Sequence, residues 1–440
     1  MSIARKCSLP VRQPVTGSNI LPADGRPIEV SEEKSDEYAL RAFFYEYNLV
    51  SSHQATSRGF LRGLERAFYR HGPHSNLARA CRLVASATYG IKLCRPFFLR
   101  QADQMYHDLL SSLAISIDDL TSVSMRDESI LVAILLGLYE IIITDESCPG
   151  YHNAHAAGVA AMLRVKNTPL DLLQALRNDQ SFVSKRLLQT NTRGLFAIPQ
   201  ANGDETPLDN LLFQLGTLWK RTTQLDILPH NVLSTLRSEA LYLDESFSLW
   251  ENTQNKYFRP STIYCMSSNE KSDYTSIDVG YWPGNIDTYV DHYIAGVWNT
   301  YRAARLVLLD IILKLSHALK CGTSHDAEHK SAQQLVKSIL ASIPYSLTED
   351  LHIFLRDIEI NQSIANPGRA ACGLLLMHTI HVTANLSIVD PAVRTYLNEC
   401  LIWIGKHMGI GQAAYLATNA EVDPEYFAGS CMIVLFGLLV

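Results

Sequence analysis

Two pairs of histidines and one pair of arginines carry the spacings that could do chemistry. His378 and His381 stand three residues apart, as do His152 and His155, so each pair shares a helix face in a way that serves a metal or a proton relay. No carboxylate stands near His378 in sequence to complete a ligand set, so core or cavity histidines are the stronger reading and no metal is assigned. His152 and His155 lie beside Pro149-Gly150, where a half-exposed helix start is the plainer reading. Arg302 and Arg305 fall within or beside an apolar stripe that also holds Trp298 and Tyr301. An unpaired buried charge costs several kcal/mol, so each arginine must find a carboxylate, a carbonyl or a polar ligand. A structural ion pair to a neighbouring helix, or stems lying along the core with wet heads, is favoured over a ligand site. A pocket, if built here, takes Trp298, Tyr301, Arg302, Arg305 and His378, with Tyr281 and Trp282 from an aromatic loop. The aromatics would supply apolar contact and the arginines would fix a carboxylate or enolate oxygen. His378 would exchange a proton or donate a hydrogen bond, which makes it the candidate catalytic residue.

Other chemistries find no support. Asp118-Asp119 are adjacent and point apart on a helix, so an exposed cap is the plainer reading. No GxSxG, HExxH, GxxxxGK[ST] or GxGxxG occurs, and no cofactor is expected. The chain has 440 residues, 47% hydrophobic and 19% charged, with a formal charge of -6, which describes a folded protein without the basic face that phosphate neutralisation needs. Direct nucleic-acid binding is therefore not expected. The nine cysteines are scattered singly with no CxxC pair, a pattern of buried thiols in a reducing, intracellular compartment. The N-terminus shows no secretory signal, and the apolar end Cys431 to Val440 is too short to span a membrane and reads as a buried terminal helix.

The elements that must position these residues are helices. Thr288 to Lys320 carries Ile294, Val297, Trp298, Tyr301, Leu308, Leu309 and Ile312 at spacings of three and four without a proline, so a long central helix is expected. Residues 1–35 read as a flexible arm and 36–440 as one helical body. Within it, helices are expected from Asp36, over Arg58 to Tyr69, over Asn76 to Lys92 with Ser75 as N-cap, over Phe97 to Ile115, and from about Ser124 to Ile142. Further helices follow over Tyr151 to Lys166, Leu170 to Ser184, Pro207 to Gln224 and Val232 to Trp250. A loop near 251–285, aromatic through four tyrosines, Phe258 and Trp282, is expected to close over the core. Beyond the central helix, Ser331 to Ser342 should stop at Ile343-Pro344, and Arg369 to Ile388 and Pro391 to Met408 complete an all-α fold.

Several stretches, taken together, resemble the regulatory domain of fungal binuclear zinc-cluster transcription factors. They are DEYALRAFFYEY, SRGFL, ESILVAILLGLYEII, HAAGVAAMLRV, VWNTYRAARL, SILASIPYSL and IGKHMGIGQAAYLA, in order from about residue 36 to 417. The resemblance implies an all-helical regulator in the nucleus or cytoplasm. It also exposes two departures. Only Cys7 precedes Cys81, so the six-cysteine zinc module is missing here, and His378-Thr379 stands where the family leads one to expect a tryptophan-proline pair. Two functions follow: a regulator that senses a small apolar metabolite or binds a protein partner, with homo-oligomerisation open, or a secondary-metabolism enzyme of isomerase or cyclase type in a remodelled cavity.

Overall fold

The computed structural model describes residues 32–50, 59–118, 123–146, 150, 152–164, 207–267, 277–320, 324–358, 363–419, 422 and 434. The expected helix at Leu170 to Ser184 lies outside them, as do residues 1–31 and nearly all of the Cys431 to Val440 segment, of which Val434 is buried.

The protein is all-α, arranged around a central helix as its apolar spacing dictates. That helix, here α9, spans His292–Ala318 over 27 residues, roughly 40 Å. Asp291 caps it, its carboxylate accepting from the Ile294 N–H at 2.8 Å. Four helices pack around it: α7 (Leu208–Arg221), α8 (His230–Thr253), α10 (Asp326–Leu347) and α12 (Ala370–Asn385). Because neighbours cover it on several sides, its buried residues run almost all the way round from Tyr293 to Ser316.

The first half forms a second layer. Helix α1 (Glu32–Tyr47) packs on α3 (Asn76–Lys92), and α3 packs on α4 (Pro96–Asp118) and α5 (Val123–Ile143). Helix α6 (His152–Arg164) lies against α5. The Ser75 cap is present, its Oγ accepting from Ala78 N–H at 3.1 Å. The second helix is shorter than expected: α2 runs Leu64–His71, not from Arg58. Gly59 and Leu61 take left-handed backbone, which ends a helix, and Leu49 and Phe60 exchange backbone hydrogen bonds instead.

Two other boundaries differ. Helix α10 continues through Pro344 because the proline sits one turn from its end, where burial of Ile343 and Leu347 outweighs one lost bond. The aromatic loop is partly built: strands β1 (Ser261–Met266) and β2 (Gly284–Thr288) pair antiparallel with an irregularity between Thr262 and Tyr264, and β2 packs on α10. These are the only strands among the described residues. After the short helix α11 (Leu351–Asp357), α12 leads into α13 (Pro391–Trp403), capped by Asp390. A wide π-type turn over Ile404–Met408 then precedes α14 (Gly411–Thr418). Among the described residues, no helix is long and apolar enough to cross a membrane.

Candidate functional site

The structure distributes the seven singled-out residues over three places. Trp298, Tyr301, Arg302 and Arg305 form the first, on α9. Arg305 is held by α8: its Nε donates to Asp244 Oδ1 at 2.8 Å and its Nη2 to Asp244 Oδ2 at 3.3 Å and to Ser248. Its Nη1 donates to Tyr301 Oη at 3.1 Å and to Glu251 at 3.4 Å, while the Tyr301 hydroxyl itself donates to Glu251 at 2.9 Å. Arg302 is 3% exposed and donates to Tyr289 Oη at 2.7 Å and Asn299 Oδ1 at 2.8 Å, with its guanidinium over the Tyr289 and Trp298 rings. Asn299 in turn donates to Ser342 on α10, and Trp298 donates from Nε1 to the Phe258 carbonyl at 2.7 Å. The VWNTYRAARL motif clamps α8, α10 and the aromatic segment onto the central helix.

Tyr281 and Trp282 belong to a second place. The Trp282 ring packs on Tyr396 at 4.8 Å, and the Tyr396 hydroxyl accepts from Gly280 N–H. Tyr281 meets Phe354 edge-on at 5.2 Å, on a surface cleft.

His378 stands at the third place, and there the two histidine pairs meet. Burial chiefly, then the neighbouring His381 and His152, push the His378 imidazole down to about 3. His155 falls to about 4 through burial, and its Nε2 lies 2.9 Å from the Tyr106 hydroxyl on α4. His152 is lowered by burial, against the pull of Glu140 on α5. Its Nε2 lies 3.1 Å from the Gln412 amide on α14. The spot is polar although it lies inside the apolar body: Glu140, His152, His381 and Gln412 are all buried.

The second motif, IGKHMGIGQA, builds this spot. Gly409 turns the chain with φ +75°, a conformation other residues adopt only under strain. Gly411 then approaches so closely that a Cβ there would lie 2.2 Å from the Thr144 carbonyl and 2.6 Å from that of Ile142. Only a glycine lets α14 touch the end of α5, and that contact carries Gln412 to His152. Whichever way the amide is turned, His152 Nδ1 and one Gln412 polar atom lack a described partner while buried. The cluster's histidines suit proton exchange poorly, since a base of pKa about 3 is far from neutral pH. Among the described residues, no three His, Cys, Asp or Glu are disposed to hold a metal ion.

Sequence spacing gave both histidine pairs but not their meeting, which depends on which helices are neighbours. Gln412, Glu140 and Tyr106 went unnoticed. The one available signal was Gln412, a polar residue between small ones at an apolar helix start.

No protein-family model and no solved structure matches the chain. Among curated proteins, it is 42% identical over 425 residues to the protein named transcription factor dbaG of Emericella nidulans, a match covering 96% of this chain and 100% of that one. The chain belongs to the family of that fungal transcription factor.

Proposed function

We propose that the protein regulates transcription, in the nucleus, through a small and largely apolar metabolite or a protein partner and without a zinc cluster of its own. One observation carries the reading: a relative named as a transcription factor is matched along its whole length, so what the two share is this helical body. The absence of a CxxC pair and the formal charge of -6 support a regulator that leaves DNA contact to another protein. The buried, under-bonded His152 and Gln412 support a ligand with one polar group, read between α6 and α14. The enzyme reading, an isomerase or cyclase with His378 moving a proton, has less behind it, because burial holds that imidazole neutral and weakly basic.

The test is deletion of the gene in its own host, with transcripts measured before and after return of the wild-type chain. A discrete set of transcripts should fall and recover, and the purified chain alone should not retard DNA from the affected promoters. Unchanged transcripts would sink the proposal, and tight sequence-specific retardation by the pure chain would remove the partner.

A further inference from the structure

We propose that the surface cleft between α1, α11 and the segment before α12 is a binding site for a protonated organic amine. The cleft consists of two adjoining hollows of about 420 and 200 Å³, which share Tyr45, Thr348 and Glu349. The larger lies within the usual size of small-molecule sites. Its walls are the rings of Tyr45, Tyr281 and Phe354 with Ile353 and Ile364, and its charged lining residues are Glu349, Asp350 and Asp357. No lysine or arginine lines the larger hollow among the described residues, while Arg369 and Asp291 both line the smaller one.

The charges are not all spent within the fold. Arg356 holds both Asp357 oxygens in an exposed pair, so that carboxylate is balanced. Asp350 caps α11 through Oδ1 alone, accepting from His352 and Ile353 N–H. Glu349 accepts from the Tyr45 hydroxyl through Oε1 at 2.7 Å. Each keeps a second oxygen outside these bonds. On the side of the smaller hollow the Tyr45 ring already stacks a cation, the Arg369 guanidinium, at 4.3 Å, so the ammonium head belongs in the larger hollow. His292 also lines the smaller hollow, and its buried Nδ1 has no described partner.

Two carboxylates beside three aromatic rings favour an ammonium head over a neutral or anionic one. The head makes charge-assisted hydrogen bonds to Glu349 and Asp350, and an aryl or alkyl body lies on Tyr281 and Phe354. The inference does not depend on the transcription reading, because binding is measured on the pure protein.

The experiment titrates the full chain, by calorimetry or ligand-observed NMR, with 2-phenylethylammonium, 2-phenylethanol and phenylacetate. Nα-acetyl-lysine methylamide serves as the same head on a peptide. One amine should bind at least about tenfold tighter than the alcohol, with phenylacetate weaker still. The tighter of the two amines names the source, a free metabolite or a partner's lysine. In the variant combining Glu349→Gln with Asp350→Asn, the Tyr45 hydrogen bond and the helix cap keep acceptors, so the fold is retained. That preference should then vanish. Equal binding of amine, alcohol and acid, no binding of either amine, or an amine preference unchanged in the folded double variant would overturn the proposal.

Discussion

Replacing Arg305 by methionine removes a guanidinium held by five oxygen atoms, on Asp244, Ser248, Tyr301 and Glu251, while keeping most of its apolar stem. The Asp244 pair is bidentate, with the side chains 11% and 22% exposed, and a charge-assisted pair of this kind is worth about 1.5–3 kcal/mol. The Glu251 contact is long and its carboxylate 43% exposed, so it adds about 0–1 kcal/mol. With the hydroxyls of Ser248 and Tyr301 losing a partner, the single variant should cost about 3–4 kcal/mol, near the low end for a broken buried pair. Removing both charges, Arg305→Met with Asp244→Leu, should recover much of that loss, leaving a coupling of about 2 kcal/mol. Urea unfolding followed by tryptophan fluorescence measures all four members of the cycle, since Trp250 and Trp298 lie beside Tyr301. Transcript output at matched protein level completes the assay. Unfolding at the wild-type urea concentration combined with lost output would refute the reasoning, because Arg305 would then be reading a ligand and not holding α8.

Acid should destabilise the protein through its histidines. The folded values of His378, about 3, and of His155 and His292, about 4, lie below the unfolded value near 6.5, so the unfolded chain takes up protons first as pH falls. Their stabilising contribution is complete above about pH 6.5 and declines towards pH 4, by on the order of 2 kcal/mol per histidine at pH 5. A urea midpoint that stays flat between pH 7 and 5 would contradict this. Gly411→Ala should lower stability by about 2–3 kcal/mol, because the new methyl meets backbone that cannot swing aside. Gly158→Ala, whose Cβ meets nothing within 4 Å, should be neutral or stabilising by up to about 1 kcal/mol in thermal unfolding. The two results exchanged would mean that α14 does not abut α5.

The helices were legible wherever an apolar period, a cap and a breaker agreed. Ser75 and Asp390 cap as their side chains allow, and the central helix fills His292–Ala318 of the expected Thr288 to Lys320, whose first residue belongs to β2 and whose start is set by an Asp291 cap. The reading failed where tertiary contacts override a local signal. Pro344 did not end α10, because the buried residues around it hold the last turn. The left-handed Leu61 next to Gly59 shortened α2, and no residue type announces a leucine at φ +48°. The hairpin of β1 and β2 escaped notice because its strands are short and one pairs across a bulge.

Spacing gives the face of a helix but not what lies opposite, and that limit explains the uneven reading of the sites. Arg302 and Arg305 could be assigned a need, burial with a partner, and the structure supplies Tyr289, Asn299, Asp244 and Glu251 from positions up to 61 residues away in sequence. The same holds for His152, whose neighbour Gln412 is 260 residues away. Two of the stretches that carry the family resemblance turn out to have positioning work: VWNTYRAARL clamps helices, and IGKHMGIGQA bends the chain so that α14 reaches α5. Such motifs therefore report the fold, and substitutions in them should act through stability first. If the cleft proposed above takes a ligand, the side chains that would set its choice lie outside both motifs, at Tyr45, Tyr281, Glu349 and Asp350. Those are the positions where a change should alter the response of the protein while leaving its unfolding midpoint nearly in place.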